Sequence, residues 1–326
     1  MQSWPLVSVV ILNWNGLRHL RYCLPSVLAT DYPRCQVIVV DNASSDGSCA
    51  YVQSSFPGVV LLRNAKNLGW SGGNNVGIRY AMAQGARYVV LLNNDMKVHP
   101  RWLTKAVAAA EADPHAGVVG FHVFGEYGKE PIERFEQACR DWQPAQPQPA
   151  THVGGCAMFI PTDMLRAIGL VDDAYFAYGE EDDLEARARR AGFALTRVNV
   201  PLWHYSEGSS ERIPWKASIL TMRNRIRYLI KNESLGVILR QVALVVHISC
   251  NPFARTSRGF AYHRRLRPSN VLVNAGLLAY ALGWNLVHLP QTLAARRWDN
   301  QAIASYLRTT ATAPESGRLP TQAPPP

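Results

Sequence analysis

Polar side chains collect at the ends of four predicted strands that follow one another along the chain. They are Asn13 and Asn15, Asp41 and Asn42, Asn64 and Asn67, and Asn93, Asn94 and Asp95. Ligands of open α/β sheets bind outside the carboxyl ends of the strands, where parallel strands end at a common edge. One such tip would carry little weight, but four in succession predict a polar ligand bound across this edge of the sheet.

Asp41 closes the second strand and is followed by the turn sequence NASSDGS at residues 42–48. A carboxylate there can accept a hydrogen bond from the imide N–H of uracil or thymine, while Ser hydroxyls and backbone N–H groups hold the neighbouring ribose. The alternative is an Asx turn that only joins the strand to the next helix. Taken alone, the segment favours the turn.

Asp95 ends the sequence LLNND at residues 91–95. Its carboxylate is a hard oxygen ligand suited to Mg²⁺ or Mn²⁺. His204 directly follows another predicted strand and is the candidate second ligand, through a neutral imidazole. The alternatives are a turn-forming Asp and a buried, hydrogen-bonded His. A structural role is expected for three histidines without a comparable setting, His99, His115 and His152.

Four adjacent carboxylates begin the segment EEDDLEARARR at residues 180–190. As a helix start they interact favourably with the helix dipole, and Asp183 with Arg187 has the spacing of an i,i+4 ion pair. Their mutual repulsion also raises the pKa of at least one carboxyl group, which prepares a general base. One member is then catalytic and the others are structural.

The segment NLGWSGGNNVG at residues 67–77 places four glycines and three asparagines before a helix predicted at residues 74–84. Glycines allow close approach of the backbone, and a helix N-terminus attracts phosphate. The spacing is neither GxGxxG nor GxxxxGKS/T, so a dinucleotide fold or a P-loop is not supported. The alternative is an ordinary flexible loop.

Short β-branched runs alternate with helix-length segments from Val7 onward, which is typical of βαβ units around a mostly parallel sheet. The predicted strands span residues 7–12, 36–41, 59–63, 88–93, 118–123, 152–160 and 194–200, and the predicted helices span 17–30, 47–55, 74–84, 100–113 and 180–191. Residues 125–151 break the pattern and are predicted to form a surface insertion. We therefore predict an α/β domain at residues 1–211.

The charge changes after this domain. Residues 1–211 hold 18 Lys and Arg against 21 Asp and Glu, a net charge of −3, whereas residues 212–326 hold 16 against 3, a net charge of +13. A basic region of this kind favours an anionic lipid surface or nucleic acid. Because its basic residues are interleaved with long apolar helices, it favours lipid.

Long helices are predicted at residues 215–231 and 235–248, followed by a stretch without charged residues at 268–295. That stretch is long enough to span a bilayer, but its hydrophobicity is marginal, so a position in the membrane interface is expected. We predict a helical, basic, membrane-associating region at residues 212–308 and a disordered tail at residues 309–326.

Six cysteines show neither CxxC spacing nor a dense framework, which favours a reducing compartment over a zinc or disulfide site. A strand-like run begins at Val7, within a few residues of Met1, so we expect no secretory signal at this point. Both observations favour the cytoplasm.

Taken in order, eight segments resemble family 2 glycosyltransferases of the GT-A fold, especially the rhamnosyltransferase-like branch. They are VSVVILNWNG (7–16), VIVVDNASSDGS (37–48), NLGWSGGNNVGI (67–78), LLNNDMKV (91–98), GGCAMFI (154–160), FAYGEEDDLEARARRAGF (176–193), the segment from His204 to Ser209, and MRNRIRYLIKN (222–232). They cover about the first 230 residues, and their combination is highly specific. The resemblance implies the GT-A fold, followed here by the basic helical region.

The resemblance implies that Asp41 contacts the nucleobase. It also implies that Asp95, the last position of the family's DxD-like motif, binds metal and diphosphate, with Asn93 at the first position. His204 falls where some members place a further metal ligand. The nucleotide-sugar site predicted in this way comprises Asn13, Asp41, Asn67, Gly69, Asn74, Asn94 and Asp95.

The base in the resembled family is usually the Asp of an E-D-x-D-L-x-x-R pattern, and here E-E-D-D-L-E-A-R places Glu181 at that position. Because Glu is one methylene longer, either Glu181 reaches the acceptor through a shifted loop or Asp182 takes over. Both remain candidates. Gly154, Gly155 and Glu180 are placed on the acceptor side.

We therefore predict an inverting glycosyltransferase that uses Mg²⁺ or Mn²⁺ and moves a sugar from a nucleoside diphosphate to a hydroxyl. The expected donor is a dTDP- or UDP-sugar such as dTDP-rhamnose, and the expected acceptor is a lipid-linked or cell-envelope glycan. Nucleic acid is not an expected partner. The expected location is cytoplasmic, peripheral on the inner face of the cell membrane, and no oligomeric state is predicted.

Two other functions compete with this prediction. A sugar nucleotidyltransferase also uses an α/β nucleotide fold and Mg²⁺, but it would carry a basic, Gly-rich triphosphate loop that VSVVILNWNG lacks. A non-catalytic sugar-nucleotide or membrane-binding module is favoured by the departure at Glu181. The presence of Asp41, Asp95 and His204 argues against it.

Overall fold

The computed structural model describes residues 4–125, 131–205, 214–250 and 271–312, and a nine-stranded sheet lies at its centre. The strands are β1 (Val7–Asn13), β2 (Cys35–Asp41), β3 (Val60–Arg63), β4 (Tyr88–Asn93), β5 (Met96–Val98), β6 (Ala116–Phe124), β7 (Gln148–Pro149), β8 (Ala157–Pro161) and β9 (Ala194–His204).

Helices cover both faces of this sheet and form the C-terminal part of the described chain. They are α1 (Leu17–Leu28), α2 (Ser48–Ser55), α3 (Gly69–Ala83), α4 (Trp102–Glu111), α5 (Ile132–Asp141), α6 (Thr162–Ile168), α7 (Glu180–Arg190), α8 (Pro214–Asn232), α9 (Leu235–Cys250), α10 (Val271–Val287) and α11 (Leu289–Thr312). A short 3-10 turn lies at Asp173–Tyr175.

The sheet has the strand order β3-β2-β1-β4-β8-β6-β9-β5, with β7 paired to β9. Strands β1 to β4 run parallel, β8 is antiparallel to β4, and β5 is antiparallel to β9. In register, Asn13 lies opposite Asp41, and Leu12 lies opposite Asn93. The predicted α/β fold with a mostly parallel sheet is confirmed, and the polar strand tips meet at one edge.

Alternating residues of β1 face two separate apolar layers. Val9 and Ile11 pack in the layer that contains Leu24 of α1 and Trp102 of α4, whereas Val10 packs on the other face with α3, α6 and α7. This period of two is what the pleat of a strand imposes. Both faces are buried, which explains why the strands are almost continuously apolar in sequence.

Helix α3 begins five residues earlier than predicted, so the glycine-rich segment is helical and not a loop. The reason is steric. A Cβ on Gly73 would overlap Leu12 Cδ1, and a Cβ on Gly77 would overlap Val10 Cγ1. The glycines therefore let this helix lie directly on β1, and the apolar gain of that packing outweighs their poor helix propensity.

A mostly buried group of three carboxylates and three cations joins α7 to α8 and α11. Its members are Asp172, Asp183, Asp299, Arg187, Arg227 and Lys231. The predicted pair of Asp183 and Arg187 is present at 2.9 Å, and Lys231 Nζ lies 2.8 Å from the same carboxylate. Burial by itself would raise the pKa of Asp183, but the charges of Lys231 and Arg187 lower it, so the group is ionised.

We expect Asp183→Asn to destabilise the fold by about 3–5 kcal/mol, because it leaves two buried cations without their shared partner. The matched control is Asp163→Asn. Asp163 also pairs with an arginine of its own helix, Arg166, but the Asp163 side chain is 42% exposed. That exchange should cost less than about 1 kcal/mol. Urea denaturation of both variants measures the difference in the free energy of unfolding. Equal losses would contradict a stabilising role for the buried ion network.

The uncharged C-terminal stretch forms two helices, α10 and the start of α11. Within the described ranges, no single helix qualifies by length and hydropathy as a membrane span. The segments Leu272–Val287 and Leu289–Ala311 qualify only as a pair, and a bend of 65° separates them. Residues 309–312 are helical, so the disordered tail predicted from residue 309 is wrong for them, and residues 313–326 lie outside the described chain.

Candidate active site

Asn13, at the end of β1, organises the first two strand tips. Its Nδ2 lies 3.1 Å from Asp41 Oδ1 and 2.9 Å from Ser48 Oγ. Its Oδ1 accepts a hydrogen bond from Asn94 Nδ2 at 2.8 Å. Three of the predicted nucleotide-sugar residues, Asn13, Asp41 and Asn94, are therefore joined in one hydrogen-bond network.

The carboxylate of Asp41 also shapes the turn that follows β2. Its Oδ2 accepts from the Ser44 backbone N–H at 2.9 Å, and Ala43 within the turn has a left-handed φ of 63°. Asp41 is 2% exposed. Asp41 therefore has the turn-forming role. Each carboxylate oxygen can accept more than one hydrogen bond, so this role is compatible with the prediction that Asp41 also contacts a nucleobase.

Asn42 ties the tips of β2 and β3 to the start of α3. Its Nδ2 donates to the Gly69 carbonyl at 2.9 Å, and its Oδ1 accepts from Asn64 Nδ2 at 2.8 Å. Asn67 Oδ1 accepts from the Gly69 backbone N–H at 2.8 Å. Asn67 and Gly69 therefore lie at the same edge as Asp41, as predicted.

Trp70 links α3 to the tip of β4, since its indole N–H donates to Asn93 Oδ1 at 3.0 Å. The side chain of Asn74 is buried and donates to the Trp70 carbonyl at 2.9 Å. Among the described residues, Asn74 Oδ1 has no hydrogen-bond partner. The indole therefore fixes the side chain of Asn93. Because Asn93 carries no charge, Asp95 is the charged group of this tip.

Asp95 and His204 are brought together by the pairing of β5 with β9, in which Met96 lies opposite His204. Asp95 Oδ1 lies 3.2 Å from His204 Nε2. Burial by itself would raise the pKa of Asp95, but the hydrogen bond and charge of His204, together with the charge of His19, lower it. The two predicted metal ligands are adjacent, and Asp95 is an anion at neutral pH.

The carboxylates at the start of α7 differ in their hydrogen-bond partners. Glu181 Oε2 accepts from the Gly179 backbone N–H at 3.0 Å, while Asp183 belongs to the buried ion network. Glu180 is 5% exposed, and its Oε2 has no partner among the described residues. Gly155 packs on Glu181, because a Cβ there would lie 3.6 Å from the Glu181 side chain. Gly154 lies next to Gly155 in the loop before β8.

Burial, and then the charge of Asp182, raise the pKa of Glu181 to about 7. Burial and the charge of Glu181 raise the pKa of Glu180 well above its ordinary range. The pKa of Asp182 is also raised, mainly by burial. A carboxyl group with a pKa near neutrality is suited to proton transfer at physiological pH, so Glu181 has the properties expected of a general base.

His152, for which a structural role was expected, lies beside these carboxylates. Its Nδ1 is 3.2 Å from Glu185 Oε2 and 3.6 Å from Asp182 Oδ1, and these three residues have the spacing of a metal-binding group. The hydrogen bond that His152 donates to Glu185 is the main cause that raises the pKa of His152 to about 9. The imidazole must lose its proton before it can bind a metal, so in the metal-free protein we interpret the trio as an ion pair.

The strand tips and the acidic helix face each other across the start of α3. The Ser71 backbone N–H donates to the Phe176 carbonyl at 3.2 Å, and a Cβ on Gly69 would overlap the same residue. Phe176 lies four residues before Glu180. The start of α3, beside the strand tips, is therefore joined to the loop that leads into α7.

Two parts of this site escaped prediction from the sequence. His152 reaches Glu185, 33 residues away, only through the fold, and no local pattern indicates the contact. Arg223 and Asn224 hold the loop before α7 through its carbonyl groups. They lie in MRNRIRYLIKN, a segment noted for its resemblance, but its sequence gives no sign of which backbone groups it binds.

A family model described as "Glycosyl transferase family 2" matches residues 8–167. The N-acetylglucosaminyl-diphospho-decaprenol L-rhamnosyltransferase of Mycobacterium tuberculosis is 26% identical over 261 residues, which cover 69% of this chain and 83% of that protein.

Two solved structures share the fold at low sequence identity. The mannosyltransferase of Pyrobaculum calidifontis in complex with GDP-Man and Mn²⁺ has a TM-score of 0.52 and 17% identity, covering 95% of this chain and 87% of that one. A TarS fragment from S. aureus in complex with UDP has a TM-score of 0.54 and 17% identity, covering 94% and 91%.

Proposed function

Because this chain is a glycosyltransferase of the GT-A fold with a family 2 domain at residues 8–167, we propose that it transfers a sugar from a nucleoside diphosphate to a hydroxyl group with inversion. The observation that carries this proposal is the contact of Ser71 with Phe176. This contact joins the start of α3, next to the polar strand tips where a nucleotide would lie, to the loop before Glu181, and so supports a single site. Donor and base then meet at one site.

A divalent ion fits the chemistry of Asp95 and His204. Two neighbouring ligands of an octahedral ion, each about 2.1 Å from it, lie about 3 Å apart. The corresponding distance between Asp95 Oδ1 and His204 Nε2 is 3.2 Å. When bound, Mg²⁺ or Mn²⁺ supplies positive charge that stabilises a leaving diphosphate, and the structurally similar mannosyltransferase contains Mn²⁺.

Glu181 takes the proton of the acceptor hydroxyl as that oxygen attacks the anomeric carbon and the diphosphate leaves. Its pKa of about 7 supports this role, and Gly155 beside it leaves room because it has no side chain. Asp182 is the second candidate, and its proximity to His152 makes it the less available of the two. Gly154, Gly155 and Glu180 form the acceptor side.

The proposed donor is a dTDP- or UDP-sugar, and the proposed acceptor is a lipid-linked or other cell-envelope glycan. Two observations support this choice. The similar mycobacterial protein is named as a rhamnosyltransferase acting on a decaprenol-linked substrate, and the TarS fragment binds UDP. Rhamnose is accordingly the first sugar to test.

Asp41→Asn tests the nucleotide site. If Asp41 accepts the imide N–H of the base, we expect affinity for dTDP and UDP to fall about 10-fold, because one charge-assisted hydrogen bond is lost. Isothermal titration in Mn²⁺ measures this, with Asp113→Asn as control, since Asp113 also closes a turn, through the His115 N–H at 2.8 Å. Equal affinity in the Asp41 variant and the parent would remove Asp41 from the base-binding site.

The membrane-facing part of the proposal rests on α9 and α10. Large apolar side chains there are exposed, among them Leu235 (70%), Leu272 (86%), Leu286 (72%) and Val287 (76%). Between the two helices, residues 251–270 contain five Arg and no Asp or Glu. Apolar residues flanking a basic segment are suited to the interface of an anionic membrane, and we place the enzyme on the inner face of the cell membrane.

We expect the full chain to float with phosphatidylglycerol vesicles and to be released by high salt. Each basic residue near the surface contributes about 1 kcal/mol. Leu286→Asp should weaken flotation severalfold, whereas Leu28→Asp, at a leucine that is 48% exposed on α1, should not. Failure to float, or equal effects of the two variants, would contradict this surface. Resistance to alkaline wash would instead show that a helix spans.

A further inference from the structure

The loop that leads into α7 has an unusual backbone. Phe176 and Tyr178 have left-handed φ values of 65° and 72°, and Gly179, which precedes the first helical residue, has a φ of 91°. Left-handed conformations are disfavoured for residues with a bulky side chain and persist only where the surroundings fix them. The groups that fix this loop therefore determine where α7 and its carboxylates begin.

A single buried side chain on α8 binds three carbonyl groups of this loop. Asn224 Nδ2 lies 2.9 Å from the Tyr175 carbonyl oxygen, 2.7 Å from that of Ala177 and 2.7 Å from that of Tyr178. Asn224 is 1% exposed. Because its two N–H groups are shared among three acceptors, replacement of this amide removes the hydrogen bonds that it donates to the carbonyl groups of Ala177 and Tyr178.

The neighbouring residue fixes the orientation of that amide. Arg223 Nε donates to Asn224 Oδ1 at 2.8 Å, so Asn224 Nδ2 must face the loop. Arg223 Nη2 also donates to the Tyr175 carbonyl at 2.7 Å. Helix α10 holds the arginine in turn, since the Trp284 ring lies 4.4 Å from its guanidinium and Asn285 Nδ2 donates to its carbonyl at 2.9 Å.

The loop connects this support to the reacting groups. On one side, the Phe176 carbonyl accepts from Ser71 at the donor edge. On the other, the Gly179 backbone N–H donates to Glu181 Oε2 at 3.0 Å. A displacement of residues 177–179 would therefore move Glu181 relative to the donor, while the side-chain hydrogen bonds of Asn13, Asp41 and Asn94 at the strand tips stay in place.

We propose that Asn224, oriented by Arg223, is a positioning residue that holds Glu181 in place through the carbonyl groups of residues 175–178. The proposal rests on the proposed function, in which Glu181 is the base. The proposal makes α8, a helix that follows the α/β domain, part of the active site. The Asn224 side chain touches no reacting atom, so Asn224 acts only through the geometry of the loop.

Asn224→Ala is the test, with Arg296→Met as the matched control. Arg296, on α11, also donates to two backbone carbonyl groups, those of Ile230 and Glu233 near the end of α8, and both of these acceptors lie outside residues 175–179. Misplacing a reacting group by about 1 Å can cost about 100-fold in rate. We expect Asn224→Ala to lower turnover of dTDP-rhamnose 10- to 100-fold, with dTDP affinity in Mn²⁺ unchanged.

Hydrogen exchange provides a readout that needs no substrate. The amides of residues 175–181 should exchange faster in Asn224→Ala than in the parent and should be unchanged in Arg296→Met. Unchanged exchange in the folded Asn224 variant, or a parallel loss of turnover in both variants, would overturn the proposal. If Glu181→Gln proves fully active, the base assignment fails, and exchange still decides whether Asn224 holds the loop.

Discussion

Glu181→Gln should lower turnover by about 10²- to 10⁴-fold, the contribution typical of a positioned general base. The amide keeps the size of the side chain but cannot take the acceptor proton. Affinity for dTDP and UDP should stay unchanged, because the loop of residues 175–179 separates Glu181 from the strand tips that are proposed to bind the nucleotide. Since burial and Asp182 raise the pKa of Glu181 to about 7, turnover by the parent should fall as the pH drops below about 7.

Asp182→Asn is the matched control for this prediction, since it removes the adjacent carboxylate of the same helix turn. It should cost less in turnover, because Asp182 faces His152 at 3.6 Å. It should also shift the acid limb of the pH profile of the enzyme to lower pH, because a charge that raises the pKa of Glu181 is lost. An inactive Asp182→Asn together with an active Glu181→Gln would move the base by one residue.

Asp95→Asn should abolish metal-dependent turnover while the protein stays folded. Asp95 supplies the negative charge at the tip of β4, where Asn93 is held by the Trp70 indole. The exchange preserves the size of the side chain and the backbone contact of Asp95 with Tyr205, so thermal stability should change little. The measurement is turnover as a function of Mn²⁺ concentration. Asp113→Asn, at a turn remote from the site, is the control.

Near-normal turnover of Asp95→Asn at saturating Mg²⁺ or Mn²⁺ would show that the metal is held elsewhere. His152, Asp182 and Glu185 would then be the next group to test, since their ligand atoms lie within 4.8 Å of one another. We expect that trio to bind the metal more weakly than Asp95 and His204 do, because the metal must first displace the proton that Glu185 and Asp182 stabilise on His152.

The edge of the sheet is predictable from the sequence because parallel strands align their carboxyl ends. Asn13, Asp41 and Asn94 come from three separate strand tips, and the register of β1, β2 and β4 alone places them together. Residue type and strand periodicity are sufficient for this part of the site. Asp95 and His204 are brought together by the antiparallel pairing of β5 with β9, and the sequence did not predict a strand at β5.

The start of α3 could not be predicted, because glycine is a poor helix former and four of them lie in this segment. What decides the conformation is the close contact of Gly73 and Gly77 with β1, a tertiary effect. Similarly, the strand predicted at residues 152–160 begins only at Ala157. The residues before it form a loop, in which the Val153 backbone N–H donates to Glu185 instead of to a neighbouring strand.

The properties of the carboxylates at the start of α7 were predicted only in part. Repulsion among adjacent carboxylates correctly indicates a raised pKa, but it cannot say which member is raised. Lys231, 48 residues further on, selects Asp183 as the ionised structural member. Within the described part of the chain, Glu181 has no such cation as a hydrogen-bonding partner, and its pKa rises instead.

In the proposed reaction, this chain breaks the bond between a sugar and a nucleoside diphosphate with the help of a divalent ion at Asp95. Release of free nucleoside diphosphate from a panel of UDP-, dTDP- and GDP-sugars by the purified full chain measures this step. We expect at least one UDP- or dTDP-sugar to be hydrolysed slowly in Mn²⁺, and EDTA or Asp95→Asn to stop the release. Release that persists in EDTA and in Asp95→Asn, or a folded chain that binds neither UDP nor dTDP, would contradict this proposal.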